Sequence, residues 1–324
     1  MKKSLALILA AVATAATATG LLLYYYYQYY HVSIMPKIIS ITHEWGFVNE
    51  TVTEVRTFVV IENPAPASAT LKELHYKIYL NDIEMAEGHN VAPVVIPARG
   101  TAEIELSTLI DNTKIPVWWV SHVQNGEKTW ARVEGEATVE VLGQELKIPV
   151  SVPSHSFETN FDEEADVDEP KDIVLVDLRP LLYVYVTVES VDTSWGSVTE
   201  DWTELVHVAQ VYNPNEFDIP VTKLEYNITA NGVRLAHGEQ PLQGVLLGAK
   251  KTSKVTFYTY IDNHKLDDWW VTHLKNDEET HVVVQVWAVF EFVTPIGTFT
   301  VKELVYQKDD ITIKTDILGS MTYP

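Results

Sequence analysis

Two stretches of the chain carry the same chemistry-bearing residues in the same order: Trp118-Trp119-Val120-Ser121-His122 and Trp269-Trp270-Val271-Thr272-His273. Histidine is the side chain whose ordinary pKa lies nearest neutrality, so a matched pair invites a general base or a metal ligand. Paired indoles invite a stacking platform for a lipid or glycan. Both readings have a plainer rival. Trp118 and His122, or Trp119 and Val123, are i,i+4 neighbours on a helix, and a short amphipathic helix of this kind more often plugs a core than displays a ligand site. Neither histidine has a second histidine four residues on, and His89 and His237 do not occupy matching positions. The expectation is therefore that His122 and His273 flank a tryptophan helix, with Trp118, Trp119, Trp269 and Trp270 as core plugs.

Little else in the sequence offers catalysis. No Gly-x-Gly-x-x-Gly, Walker loop, His-Glu-x-x-His or Gly-x-Ser-x-Gly pattern occurs. Cysteine is absent, which removes disulfides, thiolate metal sites and cysteine nucleophiles. The net charge of −22 repels phosphate backbones, so nucleic acid is not an expected partner. No enzyme activity, metal or cofactor is expected. Asn49-Glu50-Thr51 and Asn227-Ile228-Thr229 match the glycosylation acceptor pattern, so Asn49 and Asn227 are candidate modification sites in an exported chain.

The N-terminus supplies a reason to expect export. Lys2 and Lys3 precede residues 4–23, which carry no charge. Twenty residues at about 1.5 Å rise give a helix of about 30 Å, the hydrocarbon thickness of a bilayer. Six tyrosines follow within residues 24–30, a residue type that favours the membrane interface. The lysines place residues 1–3 in the cytoplasm and everything after Tyr30 outside. A cleaved signal peptide is the alternative, because Ala16 to Ala18 resembles a small-residue cleavage site, and the mature chain would then be secreted. The length of the apolar run and the tyrosine collar favour the retained anchor.

The elements that position the tryptophans are written twice. A shift of 150 residues lays Trp45-Gly46 over Trp195-Gly196, Asn63-Pro64 over Asn213-Pro214, and Leu74, Tyr76, Ile78 and Asn81 over Leu224, Tyr226, Ile228 and Asn231. Ala86 and Gly88 lie over Ala236 and Gly238. After one inserted residue, Ile110-Asp111-Asn112 meets Ile261-Asp262-Asn263, and the tryptophan motif follows in the same register. Ordered matches over roughly 100 residues mean a duplicated domain. The expected plan is residues 1–3 cytoplasmic, 4–30 the span with its collar, 31–150 the first domain, 151–180 an acidic linker, 181–312 the second domain and 313–324 a tail. Six of the eight residues 162–169 are acidic, so the linker repels itself and extends. A calcium loop there would need the glycine and spaced ligands that the stretch lacks.

Within a copy, apolar residues alternate with period two. Leu74, Tyr76, Ile78 and Leu80 fall on one strand face, and Ala102, Ile104 and Leu106 on another. Turn signals at Asn231-Gly232, Gly143 and Pro295 to Gly297 separate the runs, which predicts an all-β chain of two antiparallel sandwiches. The period breaks at 112–128 and 263–279. Pro116 suits a first helical turn, and Leu266, Trp270 and Leu274 form one helical stripe, so each copy gains one short α-helix capping an open end.

The recurring order is a strand ending in Asn-Pro, a strand of the form Leu-x-Tyr-x-Ile, a small-residue-Gly turn and then a short helix. It resembles the water stress and hypersensitive response (WHy) domain of the folded, atypical late embryogenesis abundant (LEA type 2) proteins, including archaeal relatives. The signature stands intact at Asn213-Pro214-Asn215 and departs to Ala65 after Asn63-Pro64 in the first copy. The resemblance covers about residues 37–150 and 184–310. It implies an Ig-like or fibronectin-like sandwich, no cofactor, no active site to carry over, and a link to desiccation. An archaeal source fits it. The expected function is a membrane-anchored, externally displayed, non-catalytic protein that protects the envelope or client proteins. Two rivals are a lipid- or glycan-binding module and a structural protein of the cell envelope. The expected partners are thus the bilayer and a lipid, glycan or envelope protein.

Overall fold

The computed structural model describes residues 36–159, 166–167, 169–294, 297–314 and 321–322. The expected span and its tyrosine collar lie outside the described residues. Among those described, no helix is long and apolar enough to cross a membrane. Contacts divide the chain into two compact units.

The first is built on β1 (Lys37–Val48), β2 (Val52–Asn63), β3 (Ala69–Leu80), β4 (Ile83–Asn90), β5 (Val94–Ile96), β6 (Gly100–Asp111), α1 (Ile115–Gln124), β7 (Lys128–Val141) and β8 (Gln144–Glu158). The second is built on β9 (Lys171–Leu178), β10 (Leu182–Val198), β11 (Trp202–Asn213), β12 (Ile219–Ala230), β13 (Val233–Leu247), β14 (Lys251–Asp262), β15 (Glu279–Thr294) and β16 (Gly297–Lys314); α2 (Leu266–Lys275) lies between β14 and β15, and its residues up to Trp269 belong to this unit. A final short strand, β17 (Met321–Thr322), pairs with β1. Strand pairing thus reaches into both ends of the stretch expected as a linker, through β8 to Glu158 and through β9 from Lys171.

The strand order is β1-β2-β6-β4-β3-β7-β8 in the first unit and β10-β11-β14-β13-β12-β15-β16 in the second, the latter extended by β9. Replacing each strand by its partner at the repeat offset converts one order into the other. Among the described residues the strands pair antiparallel, so the duplication seen in residue types is a duplication of topology. The period-two faces form the cores: Leu74, Tyr76, Ile78 and Leu80 are 0–5% exposed, as are Ile104 and Leu106. In the second unit Ile219, Val221, Leu224, Tyr226, Ala236 and Phe290 share one buried cluster.

Local chemistry fixes the registers. Asn231 and Gly232 both adopt positive φ, 49° and 80°, which the tight turn between β12 and β13 requires. Gly88 and Gly238 are a correction to the expected small-residue-Gly turn. Both lie inside strands, opposite Tyr76 and Tyr226, and a Cβ on Gly88 would sit 2.1 Å from the Tyr76 ring. The glycine makes room for the tyrosine ring to lie across its strand, and the Tyr76 hydroxyl then meets Thr108 at 2.6 Å on β6. Burial pushes the Tyr76 pKa up to about 12.

Gly135 on β7 marks a closer approach still, since a Cβ there would lie 2.1 Å from the backbone oxygen of His75 and 2.7 Å from the Tyr76 Cα. Backbone cannot yield as a side-chain tip can. Gly135→Ala is expected to cost the first unit about 3 kcal/mol, whereas Gly143→Ala, with open space and a positive φ of 76°, costs about 1 kcal/mol. Thermal unfolding of the two variants would show the difference as unequal shifts in midpoint.

Candidate functional site

Each helix is delivered by a fixed corner. Asp111 Oδ1 accepts from the Thr113 backbone N–H at 3.0 Å, and Asp262 does the same for His264, which starts the 3-10 turn that leads into the helix. The adjacent Asn112 and Asn263 are fully buried. Asn112 accepts from Thr53 Oγ1 at 3.0 Å and donates to the Asn49 carbonyl at 2.9 Å. Asn263 repeats this with Thr203 and Thr199, both at 2.9 Å. Pro116 sits in the first turn of α1.

On α1, Trp118 is 6% exposed and His122 is fully buried. Their rings lie 5.3 Å apart, and Trp119 reaches the same imidazole at 6.3 Å. Thr129 Oγ1 takes the Trp118 indole N–H at 3.0 Å and pairs with His122 Nδ1 at 2.8 Å. His122 Nε2 pairs with Thr159 Oγ1 at 2.8 Å, and that hydroxyl donates to the buried Glu127. Burial holds the His122 pKa down at about 4, only partly opposed by Glu127.

On α2, Leu266, Trp270 and Leu274 are 4–6% exposed and His273 is fully buried. The Trp269 indole donates to Thr280 at 3.0 Å, the counterpart of the bond from Trp118 to Thr129. Burial holds His273 at about 4 as well. The buried ring differs between copies: Trp118 is buried where its counterpart Trp269 is half-buried, and Trp270 is buried where Trp119 is half-buried.

This arrangement is poorly suited to proton transfer at neutral pH. An imidazole with a pKa near 4 is a weak base, and both of its nitrogens in α1 are already occupied by threonine hydroxyls. Among the described residues, no group of three or more His, Asp or Glu side chains is arranged to hold a metal ion.

The Asn-Pro motif lies at the opposite end of each unit, and its asparagine is equally buried. Asn213 Nδ2 donates to the carbonyls of Phe217 at 2.9 Å and Leu247 at 2.8 Å, while Oδ1 accepts from Asn215 N. Asn63 holds Ala67 and Ala65 in the same way. Pro64 and Pro214 begin the turns that the asparagines bridge. Asn215 adds a bond from its amide to the Tyr185 carbonyl at 2.7 Å, which Ala65 cannot make. Of the glycosylation candidates, Asn49 is exposed in a turn. Asn227 is half-buried in β12 between β13 and β15.

A second histidine pair escaped the sequence reading. His43 Nδ1 meets Thr57 Oγ1 at 2.9 Å across β1 and β2. The equivalent cross-strand pair in the other unit is Thr193 with His207, at 3.0 Å, so the two residue types have exchanged strands. His207 also reaches Thr259 at 2.9 Å and stacks on Phe257. Burial lowers both His43 and His207 to about 4. The signal was present at an offset of 150, where His43 faces Thr193 and Thr57 faces His207, but only strand register turns two mismatches into one conserved pair.

The polar groups most deeply held in the two units bind the protein's own turns and helices, and the two units repeat one antiparallel β topology with one short helix each. The Late embryogenesis abundant protein family (LEA_2) matches residues 58–153 and 208–302, more than half of the chain, and the chain belongs to that family. Among solved structures, a crystal structure of a protein from Archaeoglobus fulgidus is 26% identical, covering 38% of this chain and 98% of that one, with a TM-score of 0.34. The solution structure of AT1g01470 from Arabidopsis thaliana is 16% identical, covering 40% and 85%, with a TM-score of 0.28. A β-glucuronidase of glycoside hydrolase family 2 is 9% identical at a TM-score of 0.21, and the match spans 25% of its length. No curated protein matches the chain.

Proposed function

We propose that this chain is a membrane-anchored, externally displayed, non-catalytic stress protein whose two Ig-like sandwiches protect neighbouring envelope or client proteins during water loss. Family membership supports the stress association. The observation that carries the non-catalytic part is the assignment of the repeated buried polar residues to the fold's own backbone and hydroxyls: Asn63, Asn213, Asn112, Asn263 and His122. The charge of −22 supplies a hydrated, self-repelling surface that resists association as water is withdrawn. The uncharged run 4–23 and the tyrosines behind it support the anchor.

Drying a desiccation-sensitive enzyme with the purified chain, and with an inert protein at equal mass, tests the reading. Retained activity after rehydration should be severalfold higher with this chain, and equal retention would remove the protective function.

One observation favours a binding module as the second reading. Trp202 and Tyr260 are 46% and 41% exposed, their rings meet edge to face at 6.4 Å, and the Tyr260 hydroxyl donates to Glu204 at 2.9 Å. An aromatic pair beside a carboxylate can stack a sugar ring and take its hydroxyls. Native mass spectrometry with cell glycans would show a bound species that Trp202→Ala removes.

A further inference from the structure

The strands of the first unit run between two unlike ends. One carries α1. The other gathers the start of β1, paired as Lys37 with Glu62, the Asn63 to Ala67 turn, β5, and the β7–β8 turn, where Ala69 faces both Val141 and Ile96. This second end exposes large aliphatic side chains: Leu142 is 84% exposed, Val95 62% and Leu146 50%.

Leu142 is also out of place conformationally. It sits with Gly143 in a tight hairpin turn at a φ of 52°, a left-handed conformation that asparagine or glycine adopts freely and a bulky side chain resists. The residue accepts backbone strain at a position where its side chain buries almost nothing in its own unit. Strain and apolar exposure at one point are expected when the side chain works against something outside the molecule. The carboxylates nearest the turn are already neutralised in part, because Lys72 is held between Glu140 at 2.5 Å and Glu145 at 2.6 Å.

The chain itself says what lies outside. β1 begins at this end, and residues 31–36 are all that separate the tyrosine run from it. Six residues reach at most about 20 Å when fully extended. If residues 4–23 cross a bilayer, this end of the unit is held at the bilayer surface. Resting on the membrane-anchor reading above, we propose that the first unit docks on the membrane through its Asn-Pro end, with Leu142 inserted at the lipid interface and Val95 and Leu146 beside it. The anchor then fixes the unit's orientation as well as its location, and the α1 end faces away from the lipid.

The absence of cysteine allows single-site labelling without background. The full chain, reconstituted in phosphatidylcholine vesicles with nitroxide-bearing lipid, would carry an environment-sensitive fluorophore at Leu142→Cys or, at the α1 end, at Asn125→Cys. The 142 label should emit to the blue of the 125 label and be quenched about threefold more strongly, as an interfacial side chain is. In a third sample the label sits at Val95→Cys, with and without Leu142→Asn. Leu142→Asn should leave thermal stability equal or higher, since it relieves the turn, while weakening quenching at 95. Chain that does not float with the vesicles overturns the anchor and the docking together. Chain that floats, yet shows equal quenching at 142 and 125, overturns the docking alone. Unchanged quenching at 95 in Leu142→Asn overturns the role of Leu142.

Discussion

Acidification from pH 6.5 to 4 is expected to destabilise the chain steeply, and the double variant His122→Gln, His273→Gln should flatten that dependence. His122 and His273 are fully buried and are held near a pKa of 4 by burial, against about 6.5 in an unfolded chain. Between these values the unfolded state binds protons that the native state refuses, so stability rises with pH across the window. Above about pH 6.5 both states are neutral and the native advantage is complete. As pH falls, each histidine withdraws about 1.4 kcal/mol per pH unit, with a ceiling of about 3 kcal/mol at pH 4. Each such group removes up to about 3 kcal/mol, a large share of the stability of a small domain. His43 and His207, lowered by burial to the same value, steepen the fall further.

Denaturant unfolding at half-unit steps of pH measures this directly. Glutamine can still reach a threonine hydroxyl but takes up no proton, so the double variant should start lower at pH 7 and fall less towards pH 4. An unchanged slope between pH 6.5 and 4 would assign the acid sensitivity to groups other than His122 and His273.

The second large effect is expected at the Asn-Pro turn. Asn213→Ala strips the carbonyls of Phe217 and Leu247 and the N–H of Asn215 of their partner at a position with no solvent access. Each buried group left unpaired costs about 1–3 kcal/mol, so the second unit should lose about 4 kcal/mol. Asn213→Asp keeps the shape but turns two donors into acceptors facing two carbonyls, and it should be no milder. Asn63→Ala should cost the first unit less, because its contact with Ile96 is stretched to 3.5 Å. Loss of the second unit's transition at lower denaturant, with the first unit's unchanged, is the expected record. An Asn213→Asp variant as stable as the parent would remove the asparagine from this role.

Much of this architecture was legible beforehand for a local reason. A side chain on a strand alternates faces whatever it packs against, so Leu74, Tyr76, Ile78 and Leu80 announce their common burial in the sequence. The helices at Ile115 and Leu266 were legible because their apolar residues change from period two to a helical stripe. Gly88 was misread as a turn residue because a glycine needed for close approach and one needed for positive φ look alike in a sequence. The roles of Thr129, Thr159 and Glu127 around His122 were hidden altogether, since nothing local to a threonine reveals the imidazole it will meet.

The sequence by itself determined the duplication, the predominance of strands, the absence of thiol chemistry and the acidic charge. These follow from residue identity and spacing alone. Tertiary structure decided which indole of each pair is buried, how His43 and Thr57 exchange places with Thr193 and His207, and which distant carbonyls Asn63 and Asn213 hold. Those outcomes depend on hydrogen bonds and packing between segments tens of residues apart, and such contacts exist only once strand register has brought the segments together.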